Sequence, residues 1–169
     1  SGSPSHDGEA SRVSEIKDGT TVLASYDYNG LGRVVGTSHP EPEVFSRQYT
    51  STSGSYPDLD RFNRVVTSKW TKDLATDKDF YRVELTYDRS SNITWAEDKV
   101  HSGFDVKYGI DNVDRLTSAE EGTKSGSSIA SKKRYQEWTK LGHTGNWDRA
   151  KLDRNGDGDS ERDGHTDRD

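Results

Sequence analysis

The stretch YDYNGLGRVV at residues 26–35 returns along the chain, altered but in register, and that return limits the fold more than any other feature. Residues 57–66 read PDLDRFNRVV, keeping Arg64-Val65-Val66 against Arg33-Val34-Val35 and Asp60 against Asn29. Residues 86–95 read TYDRSSNITW, with Asn92-Ile93 in the Arg-Val place. Residues 108–117 read YGIDNVDRLT, with Arg115-Leu116 there. A weaker copy, KLGHTGNWD at residues 140–148, carries Asn146-Trp147, and Arg12-Val13 reads as the remnant of an upstream copy. In four copies the Asp or Asn and the following Arg/Asn-apolar pair stay four residues apart. Generic hairpins share turn residues but not such an offset. A unit recurring at 21 to 31 residues with variable loops predicts a repeat architecture.

Each unit has a physical reading. An apolar or aromatic residue ends one strand. Asp or Asn opens a turn by bonding its own backbone, and a Gly or Asn supplies the positive φ. Arg/Asn-apolar then starts the return strand, so the unit is a hairpin. The flanks alternate as strands do, in TVLASYDY, YRVELTYD and FDVKYGID. In the last, Phe104, Val106, Tyr108 and Ile110 share one face. Leu, Ile, Val and Phe number 8, 4, 11 and 4 in 169 residues, too few for a thick two-layer core. The net charge of −6 is small, and 4 Trp and 8 Tyr are spread along the chain, which argues against disorder. The composition predicts an antiparallel sheet with one apolar and one wet face. Three segments follow: a flexible stretch over residues 1–11, a hairpin region over 12–148, and an acidic tail over 149–169. The Ser/Thr-rich stretches at residues 49–56 and 123–131 read as flexible loops.

The repeated unit resembles the YD repeat of the Rhs family, whose pattern is roughly Tyr-Asp-x-x-Gly-Arg-Leu/Val. The matching residues are Tyr26 to Val34, Asp60 to Val65, Tyr87-Asp88, and Asp111 to Leu116, and the resemblance covers residues 12–148. It implies an antiparallel YD-repeat β-hairpin ribbon that spirals into a hollow shell. In bacterial members such shells hold a C-terminal toxin, and the related animal teneurins use one in cell adhesion. The family's self-cleaving Asp-Pro-x-Gly motif is absent from these residues. The chain also lacks Met, as a fragment or processed segment does, and its first residues, Ser-Gly-Ser, read as a processing or cloning remnant. A few repeats cannot close a shell, so the chain is expected to be a slice of one or to stack with copies of itself.

The acidic stretch is the one chemically pointed segment. Residues 153–164 read DRNGDGDSERDG. Asp153, Asn155 and Asp157 take positions 1, 3 and 5 of a calcium loop, with Gly158 at the sharp turn and Asp159 at position 7. Gly164 stands where a bidentate acid belongs, so Glu161 or Asp163 has to substitute. The alternative is a solvated acidic tail. Asn92 opens an Asn-Ile-Thr glycosylation sequon.

Other chemistries find little support. No cysteine is present, which excludes disulfides, thiol nucleophiles and Cys-ligated zinc. The five histidines have no metal-ligand spacing, and no nucleophile elbow or phosphate loop occurs. The chain is therefore expected not to be an enzyme. No basic patch points to nucleic acid, and no apolar run is long enough to span a membrane. Trp70, Trp95, Trp138 and Trp147 either pack across strands or stack on glycans. Arg33, Arg64 and Arg115 are expected to pair with acids of neighbouring turns, holding units in register. The whole reads as an extracellular bacterial scaffold: a shell wall or a filament built by self-association. The alternatives are the wall of a toxin-encapsulating Rhs protein and a carbohydrate-binding adhesion module.

Overall fold

The computed structural model describes residues 12–47, 56–72, 78–142, 147–158 and 166–167. It is all-β and antiparallel. The strands are β1 (Glu15–Asp18), β2 (Thr21–Tyr28), β3 (Val34–His39), β4 (Val44–Arg47), β5 (Thr67–Lys72), β6 (Lys78–Tyr87), β7 (Ile93–Asp98), β8 (Asp105–Ile110), β9 (Leu116–Ser125), β10 (Ser128–Leu141), β11 (Trp147–Asp153) and β12 (Thr166–Asp167). Each neighbours the next one in sequence. The chain divides into two compact units, residues 1–82 and 83–169.

The four full copies of the repeat fold alike. The Asp or Asn N–H bonds the carbonyl four residues on, as Asn29 does with Arg33 (2.9 Å) and Asp111 with Arg115 (2.9 Å). The N–H three residues on returns to the Asp or Asn carbonyl, from Gly32, Asn63, Ser91 and Asp114. Those four residues hold φ of 82°, 61°, 73° and 63°. Gly32 and Asn63 fit the expectation of Gly or Asn at that place. Ser91 and Asp114 do not, and they accept the left-handed backbone because the surrounding bonds fix it. One residue outside the turn, an apolar or aromatic pair closes every hairpin: Tyr28–Val34, Leu59–Val65, Tyr87–Ile93 and Ile110–Leu116. In three of them the register slips just before that pair, a bulge that sharpens the bend into the tip.

Two expectations need correction. The Ser-rich run at residues 123–131 is no flexible loop but the end of the longest hairpin. Only Gly126 and Ser127 separate β9 from β10. Gly126 supplies a φ of 60°, Ser128 Oγ donates to the Ser125 carbonyl at 3.1 Å, and Ile129 is buried. The two faces are also less distinct than expected. All six residues of β8 are half-buried, and Phe104, ahead of the strand, is exposed with the Lys133 ammonium 3.9 Å from its ring centroid. Lys side chains lie over aromatic rings here, Lys107 and Lys124 over Trp95 and Lys133 over Phe104, which blurs the alternation. The run at residues 49–56 falls, but for its last residue, outside the described residues.

The apolar core is thin, as the composition requires. In the first unit it is Ala24, Val35 and Phe45, and in the second Ile129 and Trp138. Asn29, Asp58, Thr71 and Asp153 are buried beside them. Hydrogen bonds to short polar side chains therefore carry much of the interior, and such groups are tolerated only when bonded.

Candidate functional site

The hairpin tips are built around one carboxylate or amide each. Asn29 Oδ1 accepts the N–H groups of Leu31 (3.1 Å) and Arg33 (3.0 Å). Asp60 Oδ1 takes those of Phe62 (2.8 Å) and Arg64 (2.9 Å), and Asp111 Oδ1 those of Val113 (3.0 Å) and Arg115 (2.9 Å). Asp88 Oδ1 takes that of Asn92 at 2.8 Å. The second oxygen then engages the side chain four residues on. Arg64 Nε donates to Asp60 Oδ2 at 2.7 Å, Arg115 Nε to Asp111 Oδ2 at 2.7 Å, and Asn92 Nδ2 to Asp88 Oδ2 at 2.9 Å. The carboxyl pKa values follow. The Arg115 backbone amide, and then its guanidinium, hold Asp111 below its ordinary value. The Asn92 amide does the same for Asp88. At Asp60 burial pushes upward, and the backbone and side-chain bonds from Arg64 outweigh it.

These pairs correct the sequence reading. Arg64 and Arg115 bind the aspartate of their own turn, because a four-residue offset across a tight turn puts guanidinium and carboxylate side by side. Contact between successive tips is made to carbonyls, to an amide oxygen and, at Asp114, to a carboxylate. Arg33 Nη1 donates to the Asn63 carbonyl at 2.6 Å, and Asn29 Nδ2 to Asn63 Oδ1 at 3.3 Å. In the second unit Asn92 Nδ2 reaches Asp114 Oδ1 at 2.7 Å, and Arg115 Nη1 reaches the Gly142 carbonyl at 3.4 Å. Arg12, the remnant landmark, donates to the Asn29 carbonyl at 3.4 Å. Within each unit the residue four after an Asx thus grips the next turn, as Arg33, Asn92 and Arg115 do. The Asn92 amide, where a glycan would attach, already donates to two carboxylates.

The acidic loop is a second carboxylate-centred knot. Asp153 is 2% exposed, and its oxygens accept the N–H groups of Asn155 (3.2 Å), Gly156 (2.6 Å) and Gly158 (2.8 Å). Burial pushes the carboxyl up, and the amides of Gly158, Gly156, Asn155 and Asp157 outweigh it, so its pKa lies below the ordinary value. Gly156 and Gly158 hold φ of 76° and 89°. A Cβ on Gly156 would sit 2.2 Å from the Lys132 carbonyl on β10. Asn155 and Asp157 bond one another, Nδ2 to Oδ2 at 3.0 Å and Oδ1 to the Asp157 N–H at 3.1 Å. Three expected oxygen ligands of a cation thus stand on one loop, and Asp159, Glu161 and Asp163 lie outside the described residues. Among the described residues no cluster of three or more His, Cys, Asp or Glu is placed to hold a metal ion.

Three of the four tryptophans lie against other groups, and the Trp147 side chain falls outside what is described. Trp138 is buried, Trp70 stacks on His39 at 6.0 Å, and Trp95 lies under the ammonium groups of Lys107 and Lys124. The links between tips were not legible as such. The constant four-residue offset marks the repeat in the sequence without showing which groups of the next tip the side chain reaches.

Taken together, an antiparallel run of Asx-closed hairpins in sequence order, with neighbouring tips bonded inside each unit, defines a repeat β-ribbon. Among solved structures the chain is similar to one in the Photorhabdus luminescens Tc holotoxin pore, with a TM-score of 0.57 and 16% identity. The match covers 78% of this chain and 7% of that one, so this chain spans a small part of its neighbour's length. At that identity the likeness speaks for the fold. No family model matches the chain, and no curated protein matches it in sequence.

Proposed function

We propose that the chain is a structural segment, a stretch of YD-repeat ribbon whose work is to hold shape in an extracellular bacterial shell or filament. The observation that carries this reading is the grip of one tip on the next within each unit, from Arg33 to Asn63 and from Asn92 to Asp114. Nearest-neighbour links of this kind make a repeat array stiff along its length and dependent on its neighbours. The toxin-encapsulating version of the same reading draws support from the neighbour in a holotoxin pore, whose chain is far longer. In either version a cation on Asp153, Asn155 and Asp157, with Asp159, Glu161 and Asp163, would brace the acidic loop. The glycan-binding reading has one favouring observation, an open apolar hollow lined by Trp70, Phe80 and Tyr81, while Trp138 is buried.

Amide hydrogen exchange tests the scaffold. The N–H groups of Arg33, Arg64, Asn92 and Arg115 sit at exposed tips yet bond side-chain oxygens, so they should exchange slowly. In Arg33→Ala the loss of protection should spread to the next tip, at Asn63 and Arg64. Exchange at the rate of free loops in the parent chain, or loss confined to the altered tip, would sink the reading.

A further inference from the structure

Leu31 and Phe62 hold the same place in consecutive tips, two residues after the Asx. Their N–H groups are tied to Asn29 and Asp60, which fixes the backbone and points the side chains off the end of the hairpin. Leu31 is 81% exposed and Phe62 62%. The bonds from Asn29 and Arg33 to Asn63 join the two tips, so both apolar side chains ride on one rigid edge. Guanidinium groups surround Phe62, with Arg61 4.7 Å and Arg64 5.1 Å from its ring centroid. Arg33, Arg61 and Arg64 bring three positive charges to this edge against the one carboxylate of Asp60. Exposed aromatic and aliphatic side chains among arginines are the composition of an interface core rather than of a solvated tip.

The second unit offers the complementary chemistry at the same repeat position. Val113 is 61% exposed, and it stands between Asp111 and Asp114. Asp114 is exposed and accepts the Asn92 amide, which leaves its negative charge in place. We infer that the Leu31–Phe62 tip edge of one copy docks on the Val113 tip of a second copy. Apolar knobs meet, Arg61 faces Asp114, and like edges repel through their arginines. Because the two docking surfaces differ, each contact joins the first-unit edge of one copy to the second-unit tip of another. This rests on the scaffold reading and gives it a means of self-association. Complementary charge makes such contacts sensitive to salt.

The test is molar mass by light scattering on the full chain over a range of concentrations, at low and high salt. The parent chain should associate as concentration rises and dissociate in high salt. Phe62→Ser and Val113→Ser, each still folded by circular dichroism, should be monomeric alone. Mixed, they should give one-to-one dimers, since each retains the half that the other lacks. A parent chain that stays monomeric overturns the inference, as does association indifferent to either substitution or a mixture that remains monomeric. None of those outcomes touches tip protection within one chain, so the scaffold reading stands or falls separately.

Discussion

The tip at Asp111 and the loop at Asp153 solve one problem in two ways. Both begin with a carboxylate that gathers the backbone N–H groups following it. At the tip, the residue four places on is Arg115, whose guanidinium occupies the second oxygen. At the loop, the residue four places on is Asp157, which carries the opposite charge. There the second oxygen takes a further amide, that of Gly158, and the chain needs two left-handed glycines to deliver it. At the tips that place holds a side-chain donor, Arg115 or the neutral Asn92, which closes the hairpin and reaches the next tip. An acid there offers the carboxylate no donor, and backbone amides take its second oxygen instead. A donor or an acceptor at one position separates a tip from a knot.

Asp153→Ala should have the largest effect. It strips the acceptor from three backbone amides around a buried carboxylate, a loss on the order of 2–4 kcal/mol. Urea unfolding should show a lower midpoint with an unchanged slope, and a midpoint equal to the parent's would erase the contrast with the tips. Arg115→Ala should do less. Asp111 keeps its backbone bonds, and only the guanidinium bond and the reach to the Gly142 carbonyl are lost. The midpoint of thermal unfolding should fall by a few degrees, and Arg115→Lys should recover only part, since an ammonium lacks the planar fork. A fall as deep as that of Asp153→Ala would mean that the cation, not the amides, makes the tip.

The smallest effect concerns pH. Asp60, Asp88, Asp111 and Asp153 have folded pKa values below the ordinary 3.8. Their stabilisation is complete above the unfolded value and is lost as pH falls through the folded one. Stability should therefore decline below about pH 5. Asp58 runs the other way. Burial pushes its carboxyl above 3.8, against the pull of Lys69 and Arg82. Its contribution is complete below the unfolded value and is lost as pH rises through the folded one. In Asp58→Asn that counterweight is gone, so thermal midpoints measured from pH 7 to pH 3 should fall more steeply than in the parent. A shallower fall would reverse the sign assigned to Asp58.

The hairpins were legible in the sequence because Asn29, Asp60, Asp88 and Asp111 act on amides two and four residues away, within the window that a motif displays. What the motif could not display depends on partners far along the chain. The grip of Arg33 on Asn63 spans 30 residues and ends on a carbonyl, which every residue has. The tight seat of Gly156 against Lys132 is likewise invisible until β10 is in place. Ser91 and Asp114 misled the φ rule because context, not preference, sets their backbone. The serines around Gly126 misled as composition, since a two-residue hairpin needs only one permissive residue. At the acidic loop, the spacing of Asp153, Asn155 and Asp157 marked the right segment, while the saturation of Asp153 by amides was not readable from it.

The sequence order of the strands has a consequence for how such a chain comes into being. Every strand finds its partner in the segment made just before it. No strand waits for a distant stretch to be synthesised, so closure entropy stays low and folding should be fast for an all-β chain. The ribbon can grow by accretion as it leaves a ribosome, each hairpin offering its edge to the next.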